Sequence, residues 1–235
     1  MKDLYKWLFS KYPEKKNNLN SNDKLFYNMR VTAKSRYNAS KRIDWQRKVS
    51  FFTTTILSLG LIFIPLVQNT NAELHFDSSL LNMMQIFLAV SVLVYSVMNG
   101  MAKYESRIQS LRECGDNIRD LIRDFRGEED IDNEKLKKYT KDYNLIVSKP
   151  ENHEDIDYLF ARLVLKEDFK ITGLRRIWCY SKYIVVYMIP LSIPLALLVL
   201  EFTFISDILG TSQVFSNIFE SESIDQVKNF SQHTL

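Results

Sequence analysis

Two sets of polar side chains stand at helical spacing inside otherwise apolar sequence. Ser50, Thr54 and Ser58 fall at i, i+4 and i+8 in one uncharged run, and Ser91, Tyr95 and Asn99 do the same in the next. In lipid a hydroxyl or carboxamide must face protein or water. The two stripes therefore either line a water path in an oligomer or hydrogen-bond to each other across a closed pair of helices. No ring of charge lies inside either run, so strong ion selectivity is not expected. A third set is cationic: Arg30, Lys34, Arg36, Lys41, Arg42, Arg47 and Lys48. Such a face touches lipid phosphates or holds an anionic ligand. Direct nucleic-acid binding is not expected, because no aromatic stacking pair or groove-reading motif goes with it. His153 and Asp157, four apart, make either a metal or acid–base pair or a helix cap with a buried hydrogen bond. The two cysteines, Cys114 and Cys179, lack CxxC or nearby histidines, which disfavours zinc and a disulfide framework. There is no phosphate loop, no Ser-His-Asp setting and no carboxylate pair in a fixed frame. Neither an enzyme nor a cofactor is expected.

The elements that position these groups are membrane spans. Val49 to Val67 carries no charge and, as helix, is about 28 Å long, close to the hydrocarbon thickness of a bilayer. Met83 to Met98 is also uncharged and reaches span length when residues 80–102 are taken together. The connecting stretch Gln68 to Ser79 holds Glu73 and Asp77 and no Lys or Arg. Before the first span, Met1 to Lys48 has 13 Lys and Arg against four acidic residues, a net of +9. By the positive-inside bias the N-terminus stays in the cytoplasm and the hairpin points outward. The average composition, with 46% hydrophobic and 25% charged residues and a mean hydropathy of −0.17, conceals all of this.

Residues 1–22 form a basic and aromatic segment. From Leu25 to Lys48 there is no Gly or Pro, so one helix is expected to run into the first span, with a seam at Leu25, Met29, Thr32, Arg36, Ala39 and Ile43. Trp45 with Arg47 and Lys48 sits where an interfacial anchor belongs. A heptad seam from Val90 through Val94, Val97, Met101, Tyr104, Ile108, Leu111, Gly115, Ile118 and Ile122 to Phe125 carries the second span onward to Gly127. Gly115 beside Cys114 marks a close helix crossing on that seam. Residues 23–127 thus form the long-helix hairpin, with spans at 49–67 and 80–102. Two shorter helices follow in 128–174, the second capped by Asn152. A third apolar run, 175–205, is expected to span with a kink at Pro190 and Pro194, and residues 206–235 make an acidic tail placed outside the cell. The expected fold is an all-α membrane protein.

The run RVTAKSRYNASKRI (Arg30 to Ile43), the span with SLGLIFIPL, then LAVSVLVYS, YESRIQSLRECGDNI and ENHEDIDY together resemble the SLATT domains. These are two-transmembrane effector domains of bacterial nucleotide-signalling systems, and the nearest subfamily is one often found beside reverse transcriptases. The resemblance covers Tyr27 to about Phe169, and the third run and acidic tail depart from the two-span pattern. It implies a multi-pass protein of the bacterial inner membrane that takes part in anti-phage defence, breaching the membrane when a sensor module triggers it. The partners so implied are membrane lipids, further copies of the same chain, and a sensor protein or cyclic-nucleotide signal. A non-conducting anchor for a reverse transcriptase or nucleotide synthase is the alternative.

Overall fold

The computed structural model describes residues 19–70, 78–166 and 168–214. The acidic connection, most of the N-terminal basic segment and the distal tail lie outside these described residues. Seven α-helices are present among them: α1 Ser21–Gln68, α2 Ser78–Met101, α3 Tyr104–Gly127, α4 Asn133–Ser148, α5 Asp155–Val164, α6 Gly173–Met188 and α7 Ser192–Ile208. Segments of Ser21–Gln68, Ser79–Gly127 and Gly173–Ile208 are long and apolar enough to cross a membrane. The chain divides into two compact units, one of Met1–Arg47 with Lys103–Pro190 and one of Lys48–Ala102 with Leu191–Leu235.

In the first unit the initial half of α1 is the central helix. Leu25, Met29 and Ala33 pack against Cys114, Ile118 and Phe125 of α3, together with Leu136, Tyr139, Tyr143 and Ile146 of α4. Tyr27 and Val31 pack in another direction, against Leu163, Phe169, Ile171 and Cys179. Ala39 and Ile43 meet Ile108 and Leu111. A helix enclosed on several sides cannot show one apolar stripe, so the seam foreseen in the sequence is only part of its buried surface.

The shorter helices are placed by their caps. Asp132 accepts from the Lys135 N–H at 2.8 Å and starts α4. For α5 the cap is Glu154 and not Asn152, whose side chain accepts only from the adjacent His153 N–H. The reason lies three residues on, where the Asp157 carboxylate accepts the Glu154 N–H at 3.1 Å and closes a capping box.

The second unit joins the later half of α1, α2 and α7 through Leu57, Ile64, Leu81, Leu88, Phe204 and Ile208. Gln68 of α1 donates to Asn82 of α2 near the end of the pair. Many large apolar side chains remain uncovered, among them Phe51, Phe52, Ile86, Leu93 and Phe202. That is the expected surface of helices whose solvent is lipid.

One expectation about continuity is corrected. The second span does not run unbroken to Gly127: Lys103 adopts φ +46° between α2 and α3, a left-handed conformation that L side chains visit rarely. The heptad seam therefore changes phase. In α3 Ile108, Leu111, Gly115, Ile118 and Phe125 are buried, whereas Val90, Val94 and Val97 of α2 are exposed and Leu81, Leu88 and Tyr95 take the inner positions. In the third apolar run, where the prolines lead one to expect a kink, a 3₁₀ turn at Ile189–Leu191 separates α6 from α7. Pro190 there has no N–H to continue the helical ladder.

Candidate functional site

The polar stripes of the first two apolar runs meet inside the second unit. The hydroxyls of Ser50 and Tyr95 lie 3.1 Å apart, and the Asn99 carboxamide donates to Thr54 Oγ1 at 3.4 Å. Thr54 and Ser58 also donate to the carbonyls of Ser50 and Thr54, one helical turn back, as hydroxyls in apolar helices commonly do. Ser91 is half-buried on the same side of α2. Two interhelical pairs are thus built from the side chains of the two stripes. Each is a contact that a closed pair of helices keeps and a water-filled one gives up.

The cationic set divides. Lys41 and Lys48 are exposed, and Arg30 and Lys34 are half-buried. Arg30 pairs with Asp168 at 3.4 Å, and burial followed by the charge of Lys41 pulls the Lys34 ammonium below its ordinary value. Arg47 bonds Asp44 at 2.8 Å and Glu105 at 2.9 Å. Arg36 and Arg42 depart from the expected lipid- or ligand-facing surface, since both are buried. The Arg36 guanidinium donates to the carbonyls of Glu151 and Val147, the latter at 3.3 Å, so it serves the carbonyl end of α4. Arg42 grips Asp157 through Nε at 3.0 Å and a terminal nitrogen at 2.9 Å, and reaches Glu154 at 2.9 Å. They are buried because α1 is enclosed where a one-sided helix would have shown them to solvent.

Asp157 is therefore a structural carboxylate. It is 1% exposed, accepts two guanidinium bonds and a cap bond, and sits in the first turn of α5, where the helix dipole favours a negative charge. Asn38 donates to its backbone carbonyl at 3.1 Å. The His153 ring lies tilted beside that of Tyr158, with centroids 6.5 Å apart. Among the described residues no group of three metal-ligating side chains is present. Burial, and then the nearby Arg36 charge, hold the His153 imidazole below its ordinary value. The folded chain then binds fewer protons than the unfolded one, so stability is complete above about pH 6.5 and declines as pH falls. Thermal unfolding of the purified chain should come earlier at about pH 5.5 than at about pH 7.5, and His153→Gln should flatten that difference.

Gly115 and Cys114 lie on the buried side of α3. A Cβ at Gly115 would come within 3.0 to 3.1 Å of the Tyr37 ring, so the glycine makes room for an aromatic side chain of α1. Tyr37 is held there from its polar end as well. Its hydroxyl donates to Asp116, Arg119 lies 4.9 Å over its ring, and burial with the Asp116 bond pushes the phenol up to about 12. Burial likewise raises the Cys114 thiol, which points at the Ile146 carbonyl at 3.7 Å.

Two groups escaped the sequence reading. Thr53, fully buried on α1, has no hydrogen-bond partner for its hydroxyl, and Glu201, on α7, has none for either carboxyl oxygen. The signal for Glu201 was present as the one carboxylate between Tyr183 and Ser206, but it falls just past the uncharged core of the third run.

The sequence model of the SMODS and SLOG-associating 2TM effector domain family 5 matches residues 18–205. The match continues past the motifs that end near Phe169 and takes in the third apolar run, although the family is described by two spans. No curated protein and no solved structure matches the chain.

Proposed function

From the premise that this chain belongs to the SMODS and SLOG-associating 2TM effector domain family, matched over residues 18–205, we propose that it permeabilises the bacterial inner membrane as an oligomer when a sensor module triggers it. It would act as the terminal effector of an anti-phage response that halts the infected cell. The N-terminus lies in the cytoplasm on this reading, because the net charge of +9 ahead of the first span is retained there. The first unit then receives the signal, from a sensor protein or a nucleotide messenger. The activity needs no catalytic residue and no cofactor.

The observation that carries the reading is the pair of polar contacts between α1 and α2, Ser50 with Tyr95 and Thr54 with Asn99. They supply a resting state in which the polar stripes satisfy each other. Opening exchanges those bonds for bonds to water, a small cost for each pair, so a trigger with a few kcal/mol of preference for the open form suffices. The same pairs also favour a second reading, a non-conducting anchor that restrains a partner such as a reverse transcriptase or nucleotide synthase, since they can serve packing alone.

Membrane potential separates the two. Induced expression in a bacterium loaded with a potential-sensitive dye should depolarise the cells. Replacing Tyr95 and Asn99 together by Leu should leave the chain assembled in the membrane and abolish depolarisation. A steady potential with the unaltered chain under its trigger would favour the anchor, and undiminished depolarisation by the double variant would remove these residues from the path.

A further inference from the structure

Glu201 lies on the buried side of α7 with Pro194, Phe204 and Ile208, and is 1% exposed. Its carboxyl group ends against the α1 backbone at Gly60. A Cβ built on that glycine would fall within the carboxyl, whose carbon is 2.8 Å away, so Gly60 is the cradle that lets the acid in. Neither oxygen finds a hydrogen-bond donor.

The charges around it are few. On α1 no ionisable residue stands between Val49 and Gln68, and Lys48 is twelve residues before Gly60, about 18 Å along the helix. On α2 the only titratable group is Tyr95, which is engaged with Ser50. On α7 itself there is Asp207, whose carboxylate accepts from the Ser212 hydroxyl and from the Val214 N–H at 3.2 Å. Two carboxyls on one helix thus have opposite surroundings, one supplied with donors and the other with none. An ionised Glu201 would give up its hydration and receive neither a cation nor a donor in exchange, whereas a neutral acid fits a site of this kind.

We propose that Glu201 is a proton-binding site within the membrane-spanning part of the chain: the neutral acid docks α7 against Gly60, and loss of the proton undocks it. Only the acid O–H bond breaks in this step, and the proton passes to water entering the opened site. The inference does not rest on permeabilisation and holds equally for an anchor.

The test uses the full chain reconstituted in phosphatidylcholine and phosphatidylglycerol vesicles. Infrared spectra at neutral pH should contain the carbonyl stretch of a protonated carboxylic acid, shifted by Glu201→Asp and absent from Glu201→Gln. Thermal unfolding gives a second readout. Between about pH 5 and about pH 8 the unaltered chain should lose several degrees relative to Glu201→Gln, because an unfolded chain releases this proton at about pH 4.3 and the docked acid keeps it. The proposal is overturned if the acid band is missing from the unaltered chain or persists in Glu201→Gln. It is equally overturned if the two proteins change stability in parallel across that range.

Discussion

Asp157→Ala should lower the stability of the first unit by about 2–3 kcal/mol, because it takes two bonds from a largely buried Arg42 guanidinium and leaves it only the exposed Glu154. The Arg42 side chain is 9% exposed and that of Asp157 1%, so solvent screens the pair very little. The same substitution removes the acceptor of the Glu154 N–H and frays the start of α5. The ion pair by itself need not be strongly stabilising, since desolvation offsets much of its attraction. The expectation that follows is asymmetric. Arg42→Met combined with Asp157→Leu should recover most of what either single truncation loses. Thermal unfolding of the purified chain, with amide hydrogen exchange along Asp155–Val164, reads both effects. A single Asp157→Ala loss below about 1 kcal/mol would reduce the pair to the importance of an exposed salt bridge.

Arg36→Ala should cost about 3 kcal/mol, from two sources that act together: the carbonyls of Val147 and Glu151 lose their donor, and a large buried side chain leaves a void. Arg36→Lys should regain little. One ammonium on a flexible stem cannot reproduce a planar fork that reaches two carbonyls at once. The expected signature is faster amide exchange at the carbonyl end of α4, with the start of that helix, held by Asp132, unaffected. Equal protection at both ends in the Ala variant would show that other contacts hold α4 closed.

These two arginines also show where sequence reasoning reaches its limit. An uncharged run of span length has few competing explanations, so the three long apolar helices were legible from local runs of apolar sequence. The inner positions of α3 were legible too, from Ile108 to Phe125, because the helix buries one stripe and alternates in steps of three and four. In α1 that logic fails. With neighbours on several sides, an arginine can be interior at almost any position, and periodicity carries no information about which ones are. The break at Lys103 stands three residues past its signal, Asn99-Gly100, and the left-handed conformation itself falls on a lysine. The Glu154 cap was obscured by Asn152, a good capping residue in the wrong register. Glu201 was the opposite case, a single carboxylate at the edge of an uncharged core that already accounts for a span by itself.

The enclosure of α1 bears on how such a chain can diverge. Between Leu25 and Ile43 few positions besides Lys41 reach solvent freely, so substitutions there require compensating changes in α3, α4 or α5. Descendants should therefore differ most on the outward sides of those outer helices, where a new trigger can be accommodated while the central rod keeps its residues.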